Sequence, residues 1–154
     1  MKRNFVRFML YSSAGIIFCF SLWAKNISSP LGYWLLLDGN DDKPRAIVRL
    51  QIKKNKVEGR IVRVYHQERD YEYCVKCPAP FKNERIEGLK FLWGMSSNGS
   101  KAWSGGKILD PMTGKIYKGK FSLSKAGKKI YLRGYWAISL FGRTMTLVRR
   151  SAPD

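Results

Sequence analysis

Eight short runs of β-forming residues recur along the chain, separated by turn residues, and no long segment carries the three-to-four spacing of an amphipathic helix. The runs are Tyr33–Asp38, Ala46–Lys53, Val57–Tyr65, Leu89–Met95, Ala102–Leu109, Ile116–Leu123, Ile130–Trp136 and Thr144–Arg150. In the second, Ala46, Val48, Leu50 and Ile52 alternate with a mostly polar set, which is the signature of a strand with one face in a core. Gly39-Asn40-Asp41-Asp42, Asn55, Asn98-Gly99, Asp110 to Gly114, Ala126-Gly127 and Phe141-Gly142-Arg143 punctuate the series. Asn98-Gly99 is the strongest hairpin signal, because both residues tolerate positive φ. Strands joined in order by short turns can close into a barrel, and closure removes the edges that would pair with other chains. The expected fold is therefore all-β: an eight-stranded antiparallel up-and-down barrel. Glycines at 59, 94, 105, 106, 119 and 134 fall inside strands, where a tightly curved wall needs bends.

The strands do not begin until residue 33. Lys2, Arg3 and Arg7 precede an apolar stretch from Phe8 to Trp23, then Ala24. A basic start, an apolar middle and a small residue read as a secretory signal peptide, and the stretch is shorter than the ~20 residues of a spanning helix. Residues 1–24 are expected to be a leader cleaved after Ala24, leaving 25–154 as one barrel domain in the periplasm or outside the cell. The alternative is an uncleaved anchor. Without the leader's three cations the formal charge of +18 becomes +15, spread along the chain. Such a charge attracts anionic surfaces, or simply solvates the outer faces of strands.

With Cys19 in the leader, Cys74 and Cys77 remain, inside the long irregular stretch His66 to Glu87. An even count in an exported chain favours a disulfide pinning that loop. A redox pair or half of a metal site are the alternatives. The first normally opens a helix, and the second needs about four ligands, of which only His66 and Asp70 are near. No metal or cofactor is expected.

The first and last runs carry a more specific expectation. If Met145 and Leu147 point inward, so does Arg149, near one end of the barrel. A buried guanidinium needs a partner, and the indole face of Trp34 on the neighbouring strand is a good one. Arg149 over Trp34 then plugs that end; otherwise Trp34 is plain core and Arg149 is solvated.

Gly32-Tyr33-Trp34 with an arginine at the end of the last strand resembles the lipocalin signature. A second resemblance is more specific. Trp103-Ser104-Gly105-Gly106-Lys107-Ile108-Leu109-Asp110-Pro111, Thr113-Gly114-Lys115 with Tyr117, Arg133-Gly134-Tyr135 and Leu140-Phe141-Gly142-Arg143-Thr144 resemble the bacterial domain-of-unknown-function family 2147. Cys74-x-x-Cys77 and Ile86-x-Gly88 fit it as well, and the likeness spans Gly32 to Arg149. Leu147 departs from it, at a position where an aromatic residue is expected. The resemblance implies an exported lipocalin-like barrel without established enzymatic activity.

No enzyme is expected from the residues either. His66 is the single histidine, no serine sits in a strand-to-helix elbow, and Asp38, Glu58 and Asp110 are not paired by spacing. Asp110 is expected to cap its own turn. Arg133 and Arg143 are candidates to hold a carboxylate or phosphate, or else to fix the loop Ala137–Gly142. Two functional readings stand. In the first, an interior wall of Val48, Leu50, Phe91, Trp93, Tyr117, Phe121, Leu132 and Trp136 holds a small hydrophobic or amphiphilic molecule, one with an anionic head included. In the second, the barrel is solid, and its basic surface or the His66–Glu87 loop docks on an envelope component or a host molecule. Nucleic acid is not an expected partner: export removes it, and no stacking motif is present.

Overall fold

The computed structural model describes residues 29–65, 72–99, 101–137 and 142–153. The expected leader, with Cys19 and the cleavage after Ala24, lies outside the described residues, as do His66 and Asp70.

The alternating runs form eight strands: β1 (Gly32–Leu37), β2 (Pro44–Lys53), β3 (Lys56–Val64), β4 (Lys90–Ser97), β5 (Ala102–Leu109), β6 (Ile116–Leu123), β7 (Lys129–Tyr135) and β8 (Gly142–Arg150). Each pairs antiparallel with the next, and β8 pairs with β1, closing the barrel. In that closing ladder Trp34 stands opposite Arg149 and Leu36 opposite Leu147. The connections alternate between two ends. The β2–β3, β4–β5 and β6–β7 turns and both extremes of the described barrel gather at one end. The β1–β2 turn, the long β3–β4 loop, the β5–β6 turn and the β7–β8 connection gather at the other, here called the mouth. At the β2–β3 turn Lys54 and Asn55 have φ of 49° and 61°, the mirror-image geometry that suits the twist of a two-residue hairpin.

The inward faces form one core that includes Trp34, Val48, Leu50, Met95, Ile108, Phe121, Leu132 and Leu147. Leu147 fills its place as an aliphatic core residue, 1% exposed. The glycines in the walls make room for this core. A Cβ at Gly59 would lie 2.8 Å from both Leu50 Cδ2 and Phe91 Cε1, and one at Gly106 would lie 2.6 Å from Met95 Sδ.

Alternation fails in β4. Phe91 has no partner between the Gly59–Leu92 and Arg60–Lys90 pairs, so the strand bulges there and Phe91 and Leu92 are both buried. Trp93 then stands opposite Lys107, which is exposed, and its ring lies 5.3 Å from Phe81 and 6.0 Å from Lys90 Nζ. Gly94, at φ 77°, turns Met95 back into the core. The expectation that Trp93 lines the interior wall with Phe91 is therefore corrected: Trp93 lies on the outer side of the strand, half-buried against Phe81.

Candidate functional site

At the end away from the mouth, the chain enters through residues 29–31 and leaves through the end of β8. Trp34 is wholly buried and donates its indole N–H to the Pro30 carbonyl at 2.8 Å. The Arg149 guanidinium carbon lies 4.2 Å from the centre of the Trp34 ring, a cation–π contact worth about 1 kcal/mol at a part-buried site. The same guanidinium donates to the Gly127 carbonyl at 2.8 Å, the Leu31 carbonyl at 3.0 Å and the Ser29 carbonyl. Its planar fork thus ties the entering segment, the β6–β7 turn and β8 together, which an ammonium could not do. Gly32 sits at φ 110° with Arg149 Nη1 3.6 Å from where its Cβ would be, a backbone conformation that L side chains rarely adopt. Burial pulls the Arg149 pKa below its ordinary value, yet guanidinium remains protonated in proteins. Trp34 and Arg149 are therefore brought together, and the pair fills this end.

The mouth is built differently. Asp38 accepts from Arg45 Nε at 3.0 Å and from Arg143 Nη2 at 3.1 Å. Its Oδ1 also accepts the Asn40 N–H at 2.8 Å. That backbone bond, assisted by the two arginines, holds the Asp38 carboxyl below the usual carboxylate range against the opposing effect of desolvation. Arg143, an anion-contact candidate, is thus clamped on Asp38. Arg133, the other, donates to Thr144 Oγ1 at 3.0 Å on the outer face. There it borders a shallow groove of about 280 Å³ with Ser104, Lys120, Ser122 and Tyr131.

Beside the mouth, Cys74 and Cys77 are joined in a disulfide and both are buried. The loop folds back on itself through Cys74 N–H to Glu84 O (2.8 Å) and Ile86 N–H to Glu72 O (2.9 Å). Cys74, Cys77 and Ile86 join the barrel core. The loop also lies against the β5–β6 turn, where a Cβ on Gly114 would overlap the Lys76 carbonyl. Asp110 shapes that turn, accepting the Met112 N–H and the Thr113 hydroxyl, each at 2.9 Å.

The eight expected wall residues divide. Val48, Leu50, Phe91, Phe121 and Leu132 are inside and no more than 4% exposed. Trp93 faces outward. Tyr117 is half-buried, near the mouth. Trp136 is 64% exposed and meets Tyr117 edge-on at 6.0 Å. The Trp136 expectation is corrected: β7 ends at Tyr135, so alternation no longer aims the next side chain inward. Among the described residues, no three of His, Cys, Asp and Glu gather closely enough to hold a metal ion.

Residues 32–149 match a family model described as an uncharacterized protein conserved in bacteria, DUF2147. Among solved structures, protein HP1028 of the human pathogen Helicobacter pylori, described as belonging to the lipocalin family, is similar with a TM-score of 0.69. The two are 18% identical over 80% of this chain and 84% of that one, a likeness that carries the fold alone. No curated protein matches the sequence.

Proposed function

Since the chain belongs to the DUF2147 family and its fold is a lipocalin-like barrel, we propose that it is an exported, non-catalytic docking module that works through its surface. The observation that carries this reading is the accessibility of the inner wall. A cup open to a ligand leaves its apolar lining accessible to water. Here Val48, Leu50, Phe91, Phe121 and Leu132 present almost nothing. The glycine walls agree: at Gly59 and Gly106 even one added carbon meets core atoms. Around these described residues the packing leaves no space that a drug-sized or lipid-sized molecule could enter without displacing side chains.

The test is gentle purification of the full chain in high salt, followed by native mass spectrometry and titration with phenylnaphthylamine, a dye that brightens in apolar cavities. The expected result is the mass of the polypeptide alone and no saturable rise in fluorescence. A lipid retained stoichiometrically through high salt, or a dye site competed by fatty acid, would overturn the reading in favour of an interior ligand.

A further inference from the structure

The cations are dispersed along the sequence, but the fold sorts the described acids to one end. Of the described carboxylates, Asp38, Asp41 and Asp42 lie in the β1–β2 turn, Glu72, Glu84 and Glu87 in the β3–β4 loop, and Asp110 in the β5–β6 turn. All of these connections are at the mouth, where Asp38, Asp41 and Glu72 pair with Arg45, Arg143, Lys43 and Arg85.

The plugged end has a different charge. Its β2–β3 turn carries exposed Lys53, Lys54 and Lys56. Its β6–β7 turn carries exposed Lys125, Lys128 and Lys129. Among the described residues the one acid near this end is Glu58, which is 6% exposed and accepts from Gln51 Nε2 at 2.9 Å. Six exposed ammonium groups stand on two turns across the same barrel end, flanking the β4–β5 turn, and among the described residues no exposed carboxylate lies with them, so the face attracts anions. Beside them Ile52, paired with Val57 just before the β2–β3 turn, is 59% exposed, an apolar side chain set among lysines.

We propose that the plugged end docks on the anionic headgroups of a lipid bilayer, with the lysines of the two turns against the phosphates and Ile52 at the headgroup boundary. This deepens the docking-module reading and rests on it. The occupant follows from two things on this face. The charge is spread over two turns, as a broad anionic surface demands. An apolar residue stands among the cations, which a bilayer accommodates.

The full chain is incubated with vesicles of phosphatidylcholine and with vesicles containing phosphatidylglycerol, and partition is measured by sedimentation. Two variants of equal charge are compared with it: Lys53→Gln/Lys125→Gln/Lys128→Gln at the plugged end, and Lys76→Gln/Lys82→Gln/Lys115→Gln at the mouth. All six side chains are exposed and outside the core. Any leader that remains is common to all three proteins and cancels in the comparison. The expected result is a preference for the anionic vesicles that falls on the order of a hundredfold in the plugged-end variant, roughly fivefold for each lysine near the surface. The mouth variant keeps most of the preference, and added salt erodes what remains. Equal loss in both variants would overturn the proposal, since net charge and not the face would then govern binding. So would equal partition into both vesicle types, or capture by soluble polyglutamate without vesicle binding, which would assign the face to an acidic protein. A lipid buried inside the barrel would sink the filled-module reading and leave the vesicle comparison untouched.

Discussion

The two ends of the barrel are both organised around arginine, in opposite surroundings. At the plugged end one guanidinium, Arg149, lies against a wholly buried indole and donates to carbonyls of Ser29, Leu31 and Gly127. At the mouth two guanidiniums share the carboxylate of Asp38, with the Arg45 and Arg143 side chains 40% and 58% exposed. A charge facing neutral carbonyls where water is scarce is held by everything around it, whereas an ion pair in water gains little beyond what solvation already offered. The mouth compensates covalently, through the Cys74–Cys77 bridge that holds its loop on the core. The comparison assigns the structural weight to the plugged end and leaves the mouth to tolerate change.

The largest effect is expected from Arg149→Ala, which removes the cation–π contact and leaves three carbonyls without their donor. Urea unfolding should show a loss of roughly 2–4 kcal/mol. Arg149→Lys should recover little of it, because an ammonium cannot serve carbonyls on three segments in one plane. A change near zero would break the comparison. Next is the disulfide. Replacing both partners, Cys74→Ala with Cys77→Ala, should cost about 2 kcal/mol, the loop-closure value for so short a ring. Faster proteolysis confined to residues 72–88 would sharpen the contrast, since the barrel itself should stay shut. Asp38→Asn should give the smallest shift in midpoint. Its pH dependence has a definite sign. The folded carboxyl titrates below its ordinary 3.8, so its stabilising effect is complete above that value and is lost as pH falls through the lower, folded pKa. Wild type and Asp38→Asn should therefore converge in strongly acidic solution and differ above pH ~4.

Much of this architecture was legible in the chain. Alternation in Ala46–Lys53 places Val48 and Leu50 correctly, though not Ile47, which is buried beside a register shift, nor Ile52, which is exposed; with the turn residues at Asn98-Gly99, such local geometry repeated eight times leaves few folds. The Trp34–Arg149 pairing was readable because closure makes the first and last strands neighbours. β4 was less readable. In Phe91-Leu92-Trp93 every residue is apolar, so hydrophobicity cannot mark where a bulge shifts the faces, and Trp93 came out on the wrong one. Trp136 was misplaced for a related reason: pattern does not say where a strand stops. Whether the interior is hollow was unreadable in principle, since apolar residues line a cavity and fill a core alike. The segregation of acids was hidden too. Turns far apart in sequence meet only once the strands have alternated up and down.

The β1–β8 ladder joins residues more than a hundred positions apart, Tyr33 with Arg150 through Leu36 with Leu147. Such a seam has no short hairpin to reform it once it parts. Were it to open, two strands would show unpaired backbone groups, the state that invites one molecule to add its edge to another. Arg149 spans that seam from β8 to the residues leading into β1. Its duty thus extends from the stability of one barrel to the solubility of many, and a weakened rivet should announce itself as aggregation before any change in secondary structure is visible.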